Sequence, residues 1–339
     1  MIRVTTLDTD TWRGSVDGFG PALADIYFTA EYHAMHEANG DGEARASLIS
    51  DGAARLFVPG LRVPGSGACD LQTPNGYGGP LANTEATRPF LDEAWLAWRE
   101  LARSDGIVAA LFRLHPLVDN ARWLPSSAVV RRERETVFVS LNGGRDGAWG
   151  RAETRHRNMV NKARRLGAAV EWNPPDGWSV FEPMYDAAMQ RLQASPALRF
   201  SPPYFAALRS SSRAELALIR DDKGVAGAAV FFFGPRWAHY HLSARRPDAP
   251  NFATNALLQA AIERASDRRL DGLFLGGGTT NLIDDPLLRF KSSLGGERRD
   301  FHIALVVCDD EAYRHLIAGW RARSGRAPRW LLGYREPLP

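Results

Sequence analysis

The sequence has few of the residues that build disulfide frameworks or metal sites. Two cysteines, Cys69 and Cys308, occur among its 339 residues, too few for a disulfide framework or a cysteine-rich zinc site. His33 and His36 are three apart on a predicted helix, but no third ligand stands nearby and H-E-x-x-H is not formed. We therefore expect buried or surface histidines here, and no bound metal.

Long apolar segments are also missing. The N-terminal stretch MIRVTTLDTDTW has no signal-peptide hydrophobic region, and no long uncharged apolar run follows it. We expect a cytoplasmic protein without stable membrane insertion. Hydrophobic residues nevertheless make up 45% of the chain. That share is enough for a large core, and the length favours two domains.

Several familiar catalytic motifs do not occur. The sequence contains no G-x-S-x-G, no G-x-x-x-x-G-K-[ST] and no G-x-G-x-x-G, which argues against an α/β-hydrolase serine, a phosphate loop and a dinucleotide fingerprint. His239 and His241 lie on one face of a predicted strand. They fit a packed or an exposed pair at least as well as the lining of a pocket.

Positive charge is slightly in excess and comes mostly from arginine. The net charge of +3 permits an anionic partner but requires none. One predicted helix, at 151–167, concentrates cations and has a single acid, Glu153. It fits an ordinary solvated helix and a surface that tracks phosphates. The cations that would make such contacts are Arg155, Arg157, Lys162, Arg164 and Arg165.

The order of predicted elements occurs twice. Each half shows a helix, a hairpin, a loop, a second helix and a strand. The first series is a helix at 28–38, a hairpin at 44–59, a helix at 89–103 and a strand at 106–114. The second is a helix at 181–192, a hairpin at 215–233, a strand at 237–244, a helix at 252–266 and a strand at 270–275. We interpret this as two copies of one α/β unit.

The repeat sets the predicted domain boundaries. We assign residues 1–142 to an N-terminal domain and residues 143–307 to a C-terminal domain. A late helix at 309–323 fits neither copy. Residues 308–339 are therefore expected to pack back on the first domain.

A glycine-ended strand near the C-terminus is the strongest candidate site. Residues 271–296 read DGLFLGGGTTNLIDDPLLRFKSSLGG, with an apolar strand that runs into Gly276, Gly277 and Gly278. Glycines allow close approach because no Cβ stands in the way. Lys291 follows on a short helix, and α/β folds usually bind ligands just beyond such a strand.

Four segments of the chain resemble motifs of the FemABX peptidyltransferases of the GNAT superfamily. They occur in the family's order, between about Phe28 and Val307. The segments are Tyr77-Gly78-Gly79-Pro80, the basic helix Arg157 to Gly167, Met189 and Arg191 with Phe200 to Phe205, and Arg289-Phe290-Lys291 with Leu294-Gly295-Gly296.

The resemblance implies a fold and an activity. The fold is α/β (α+β), with two tandem GNAT-like domains that each contain a mixed, mostly antiparallel sheet flanked by helices. The activity is transfer of an aminoacyl group from aminoacyl-tRNA to an amine of a peptide-like acceptor, a peptidoglycan precursor or a peptide natural product. No cofactor beyond the aminoacyl-tRNA co-substrate and no DNA partner are expected. No heptad run is present, so the expected form is armless.

The candidate site residues follow from this chemistry. Attack on an ester carbonyl creates an oxyanion that needs a fixed cation or donor, and Lys291 is the candidate. Tyr240 is a candidate proton relay. The candidate substrate-binding residues are Phe290, Arg289, Arg191, Tyr77 and Asn75.

Two alternatives stay open. Acyl-CoA-dependent GNAT enzymes cradle pyrophosphate with a glycine-containing loop before a helix. The corresponding link here, Arg245 to Phe252, has no glycine and two prolines, which lack N–H groups. This disfavours acyl-CoA as the donor without excluding it. The second alternative is a non-catalytic module that binds a glycan or peptide.

Overall fold

The computed structural model describes residues 1–20, 23–65 and 67–338. Its contacts divide the chain into two units. The first comprises Met1–Glu133 with Phe301–Pro339, and the second comprises Arg134–Asp300. Among the described residues, no helix combines the length and the apolarity needed to cross a membrane.

The described residues up to 113 form α-helices and β-strands. In chain order they are β1 (Arg3–Leu7), α1 (Thr9–Trp12), α2 (Ala30–Ala38), β2 (Glu43–Asp51), β3 (Ala54–Gly65), β4 (Ala68–Gln72), β5 (Leu81–Ala82), α3 (Arg88–Ser104) and β6 (Ile107–Arg113). The Asp51-Gly52 turn joins β2 and β3 as predicted, with Gly52 at φ +57°. Thr29 caps α2 by accepting a hydrogen bond from the Tyr32 amide.

The rest of the described chain forms further α-helices and β-strands. They are β7 (Val129–Ser140), α4 (Gly144–Arg151), α5 (Thr154–Arg165), β8 (Val170–Trp172), α6 (Gly177–Arg191), α7 (Pro202–Ser210), β9 (Ala214–Asp221), β10 (Gly224–Phe233), β11 (Trp237–Arg245), α8 (Ala253–Asp267), β12 (Gly272–Gly277), α9 (Pro286–Ser292), β13 (Glu297–Val307) and α10 (Asp310–Ser324).

Each unit has a mixed, mostly antiparallel sheet. In the first, the order is β1-β2-β3-β4-β6-β13, with β4 and β6 parallel and β5 paired to β3. In the second, the order is β7-β12-β11-β10-β9-β8, with β11 and β12 parallel. The predicted fold class is confirmed.

Strands β7 and β13 each pair with a strand of the unit other than the one that precedes them in the chain. The strand that follows β6 in the chain is β7, yet its residues 136–140 pair with β12 in the second unit. The strand that follows β12 is β13, and its residues 303–307 pair with β6 in the first unit. The contact division therefore places 134–142 with the second unit and 301–307 with the first, while the boundaries at 142/143 and 307/308 stay predictions.

The C-terminal segment lies in the first unit. Tyr334 donates a hydrogen bond of 2.5 Å to the buried Asp70 of β4, and Arg335 Nε donates one of 2.7 Å to the same carboxylate. Trp320 of α10 is 1% exposed and packs with Val108 and Leu305. A buried carboxylate with a charged partner is a specific anchor, because it would be costly to bury alone.

The basic helix is shorter than the predicted range 151–167. It divides at Ala152, whose ψ of 141° is extended, so that α4 ends at Arg151 and α5 begins at Thr154. The Glu153 amide after this break donates to the Ser293 carbonyl at 2.9 Å. The predicted helix end is confirmed, since Gly167 follows the last turn with φ +67°.

Candidate functional site

At the carboxyl end of β12, glycines let neighbouring segments approach the strand closely. Gly276 has φ +70°, which favours glycine. A Cβ on Gly278 would lie 2.4 Å from Asp285 Oδ1, and one on Gly277 would lie 3.0 Å from the Glu135 carbonyl oxygen. The three glycines thus let α9 and β7 pack directly against the strand end.

Asp285 connects the glycine turn to α9. Its Oδ1 accepts from the Leu288 amide at 2.9 Å, and its Oδ2 accepts from the amides of Thr279 and Thr280 at 3.0 and 2.8 Å. Burial by itself would raise the pKa of this carboxyl, but the hydrogen bonds outweigh it and hold the pKa at about 2. A permanent anion therefore caps α9 and fixes its direction.

Lys291 lies inside the second unit. Its side chain is 7% exposed, and Nζ donates a 2.7 Å hydrogen bond to the Gly277 carbonyl. Nζ also lies 5.7 Å from the centre of the Tyr240 ring. Burial lowers the pKa of Lys291 to about 7, against a smaller opposing effect of Asp285. Near neutral pH the amine therefore exchanges between a charged donor and a neutral acceptor.

Tyr240 lies where the two central strands part. β11 and β12 pair only over Trp237–His239, and β11 then continues to Arg245 paired with β10 on its other side. The Tyr240 hydroxyl donates to Ser243 Oγ, and burial raises its pKa. Where these strands part, the Gly277 carbonyl, Lys291 and the Tyr240 ring lie close together.

The other candidates of the second unit are placed differently. Phe290 is half-buried and packs against the core. Arg289 and Arg191 are exposed, Arg191 at the last position of α6. Within the described part of the chain, the structure shows no contact from either arginine to Lys291. Their substrate-binding roles stay predictions.

Asn75 and Tyr77 lie in an aromatic cluster of the first unit. The Asn75 carbonyl accepts a hydrogen bond from the Tyr32 hydroxyl. The Tyr77 ring meets Tyr27 and Phe301 edge to face, with centres 5.4 and 5.1 Å apart. Both residues are half-buried, and their proposed contact with an acceptor stays a prediction.

The cations of α5 fall into two groups. Arg164 pairs with Glu263 at 2.8 Å, and Arg157 donates to the carbonyls of Trp149 and Gly150. Arg155, Lys162 and Arg165 are exposed and form no ion pair with the residues that the structure describes. The second group is free to contact an external anion.

Three of the four histidines considered from the sequence are buried, and the fourth, His241, is half-buried. His33 and His36 are at most 1% exposed. His33 Nδ1 bonds the Thr29 carbonyl, and burial lowers its pKa to about 3. His36 Nδ1 bonds Asp41 at 2.6 Å. His239 is buried against Phe274, whereas His241 bonds the Tyr204 hydroxyl at 2.7 Å.

Sequence reasoning missed two residues of the Lys291 site. Asp285 carried a signal, because an aspartate directly before a proline and an apolar helical run is typical of a helix start. Ser243 carried no such signal in the sequence. It reaches Tyr240 because β11 contains an irregularity opposite Val230 and Phe231.

Comparison with known proteins gives fold-level likeness. No family model and no curated protein matches the chain. Among solved structures, FemX has a TM-score of 0.71 and 12% identity, over 92% of this chain and 99% of FemX. The C-terminal domain of a putative lysylphosphatidylglycerol synthetase from Agrobacterium fabrum has a TM-score of 0.55 and 14% identity, over 86% and 90% of the two chains.

A third structure is a tandem GNAT protein from the clavulanic acid biosynthesis pathway. It has a TM-score of 0.53 and 13% identity, over 91% of this chain and 99% of that one. At these identities the likeness concerns the fold. The predicted FemABX-like, tandem GNAT fold is confirmed.

Proposed function

We propose that this chain, which has the fold of FemX and of a tandem GNAT protein, transfers an aminoacyl group from aminoacyl-tRNA to an amine of a peptide-like acceptor. The observation that carries the proposal is the buried Lys291, held at the glycine-ended strand by the Gly277 carbonyl. A buried amine without an ion pair is costly to keep, so a chemical role explains it better than stability does.

The proposed step is amide formation at an ester. The acceptor amine attacks the ester carbonyl, and the Lys291 ammonium donates a hydrogen bond to the oxyanion that forms. The carbon–oxygen bond to the terminal ribose then breaks, the amine loses a proton and the ribose hydroxyl gains one. Tyr240, whose hydroxyl bonds Ser243, is the proposed relay for that proton.

The ionisation of Lys291 gives a pH prediction. Because the ammonium is the proposed active form and its pKa is about 7, the catalytic advantage of Lys291 should fall as the pH rises above about 7. We would measure single-turnover rates of the wild type and of Lys291→Met from pH 6 to 9 and take their ratio, which cancels the ionisation of the acceptor amine. A ratio that rises with pH would assign Lys291 as a general base instead.

The free cations of α5 are the proposed RNA contacts. Replacing Arg155, Lys162 and Arg165 together with glutamine should weaken tRNA binding, and the slope of log K against log salt should become shallower by about 2 to 3, since each lost phosphate contact removes about 0.7 to 0.9. The measurement is fluorescence anisotropy at several salt concentrations. Arg209→Gln is the matched control, because Arg209 is paired with Glu182 on another helix. An unchanged slope would place the RNA elsewhere.

The loop after β11 supports RNA over CoA as the carrier of the acyl group. Arg246 of this loop bonds Asp221 at 2.7 Å and Asp248 at 2.5 Å, and Lys223 bonds Asp248 at 2.9 Å. These two cations are neutralised within the protein. A pyrophosphate would have to compete with carboxylates for them.

Mass spectrometry of acceptors tests the proposal. Candidate peptide-like amines would be incubated with the protein and charged bulk tRNA, and separately with acyl-CoA. We expect a mass increase of one aminoacyl group with tRNA only, abolished by prior RNase treatment. Modification that survives RNase, or that needs acyl-CoA, would favour an acyl-CoA-dependent enzyme instead.

A further inference from the structure

A slot in the second unit lies apart from Lys291. It is about 310 Å³ in volume and lies between α5, β8 and α8. Small and aliphatic side chains form much of its wall, among them Ala163, Ala168, Val170, Ala256 and Ala260. This volume is at the lower end of the range for small-molecule sites.

The charged residues at the slot neutralise one another. Arg164 pairs with Glu263 at 2.8 Å, Arg264 pairs with Glu215 at 2.6 Å, and Asp267 pairs with Arg145. A phosphate or an ammonium entering the slot would have to break one of these pairs. The slot therefore suits an uncharged ligand.

Two features of the wall fit an aromatic heterocycle. The Arg264 guanidinium lies over the Trp172 ring, 4.5 Å from its centre, and both residues line the slot. The indole also packs on Phe231 and Phe233, with ring centres 5.8 and 5.9 Å apart, so the outer face of the guanidinium is the surface left for stacking a nucleic-acid base. Beside them is the amide of Gln259, which is 4% exposed. Its oxygen bonds His156 Nε2 at 3.2 Å and its nitrogen donates to Glu263 at 3.0 Å, so the orientation of this amide in the wall is fixed.

Helix α5 connects the slot to the Lys291 site. The Glu153 amide, just before α5, donates to the carbonyl of Ser293, two residues after Lys291. The slot begins at Val160 and Arg164, toward the other end of α5. With 12 residues, the helix is about 18 Å long. The unpaired Arg155, Lys162 and Arg165 are distributed along it.

We propose that this slot receives an unstacked base from the single-stranded end of the aminoacyl-tRNA, a few nucleotides before the ester that reaches Lys291. The backbone phosphates of the same strand then follow the free cations of α5. The inference rests on the proposed function, because it assigns a subsite to the proposed RNA donor.

The test blocks the slot from two walls. Ala260→Trp fills it from α8, and Ala168→Trp fills it from the segment after α5. Each should weaken binding of uncharged bulk tRNA on the order of 10-fold, the range expected when a stacked base is lost. Ala187→Trp is the control, because Ala187 is exposed on α6. Thermal unfolding checks that all three variants fold.

A second probe identifies the part of the RNA involved. Bulk tRNA trimmed of its single-stranded 3′ end should bind the wild type at least as weakly as intact tRNA binds the filled variants, because it lacks both the base and the phosphates of that strand. Filling the slot should then have no further effect. Wild-type affinity in both filled variants would overturn the slot while leaving the RNA donor in place. Failure of the wild type to bind any tRNA would overturn the slot and the proposed function together.

Discussion

Replacing Lys291 with methionine is expected to lower the transfer rate about 100- to 1,000-fold, the usual effect of removing one donor to a developing oxyanion. Methionine keeps an unbranched side chain in the buried position but cannot donate to the carbonyl oxygen. The measurement is a single-turnover rate at saturating donor and acceptor. Because the cation acts on charge that is absent from the ground state, the Kd for the substrates should change little.

The same substitution is expected to stabilise the fold. Burial lowers the pKa of Lys291 to about 7 in the folded state, while the unfolded lysine keeps its ordinary value. Below pH 7 both states are protonated and the cost of the buried charge is fully present. Between pH 7 and about 10 the folded state loses its proton first, so the cost declines. Lys291→Met should therefore raise the free energy of unfolding at pH 6 by about 2 kcal/mol, and by less at pH 9.

Lys223→Met is the matched control for both effects. Lys223 is exposed and paired with Asp248 on the protein surface, so its loss should change the rate and the stability little. If Lys291→Met retains full transfer activity, Lys291 is not the catalytic cation. Absence of any transfer by the wild type would instead favour a glycan- or peptide-binding module.

Replacing Gly295 with alanine should have the largest effect on stability. Gly295 has φ +79°, and a Cβ there would lie 2.7 Å from the Arg151 carbonyl carbon and 2.8 Å from the Ala152 amide nitrogen. Both contacts are to backbone, which cannot rotate away. The positive φ costs about 1 kcal/mol by itself, and with the clash we expect a loss of about 3 kcal/mol or more in the free energy of unfolding.

A Gly167→Ala variant separates the cost of the positive φ from the cost of the backbone clash. Gly167 has φ +67° with nothing within 4 Å of its Cβ position, so alanine there carries the conformational cost alone, about 1 kcal/mol. Urea unfolding followed by tryptophan fluorescence compares the two variants. Equal losses would show that the junction of α4 and α5 moves to accept the methyl group.

Most of the fold could be predicted because local signals and the repeat agreed. The Asp-Gly turn, the Thr29 cap and the Gly167 helix end are backbone requirements that single residues reveal. Elements without such signals were missed, including β4, β8 and α7. Strand β8 has three residues, too short for a period of two to be recognised.

The site was only partly visible in the sequence. The glycine run and the neighbouring lysine indicated where a ligand binds, but the depressed pKa of Lys291 depends on burial, which the sequence does not show. The pairing of Arg164 with Glu263 spans 99 positions, so the division of the α5 cations into paired and free groups required the folded chain. The slot beside Trp172 likewise depends on three separate segments meeting.

The reciprocal placement of β7 and β13 affects the order in which the two units can be completed on the ribosome. The second unit is continuous, 134–300, whereas the first needs residues from 301 onward. The first unit, most of which is translated before the second, can therefore complete its fold only after the second unit has been translated. Until β13 emerges, β6 presents an unpaired apolar edge, the kind of surface that invites aggregation. A nascent chain stalled shortly before Phe301 should therefore need chaperone protection more than a full-length chain does.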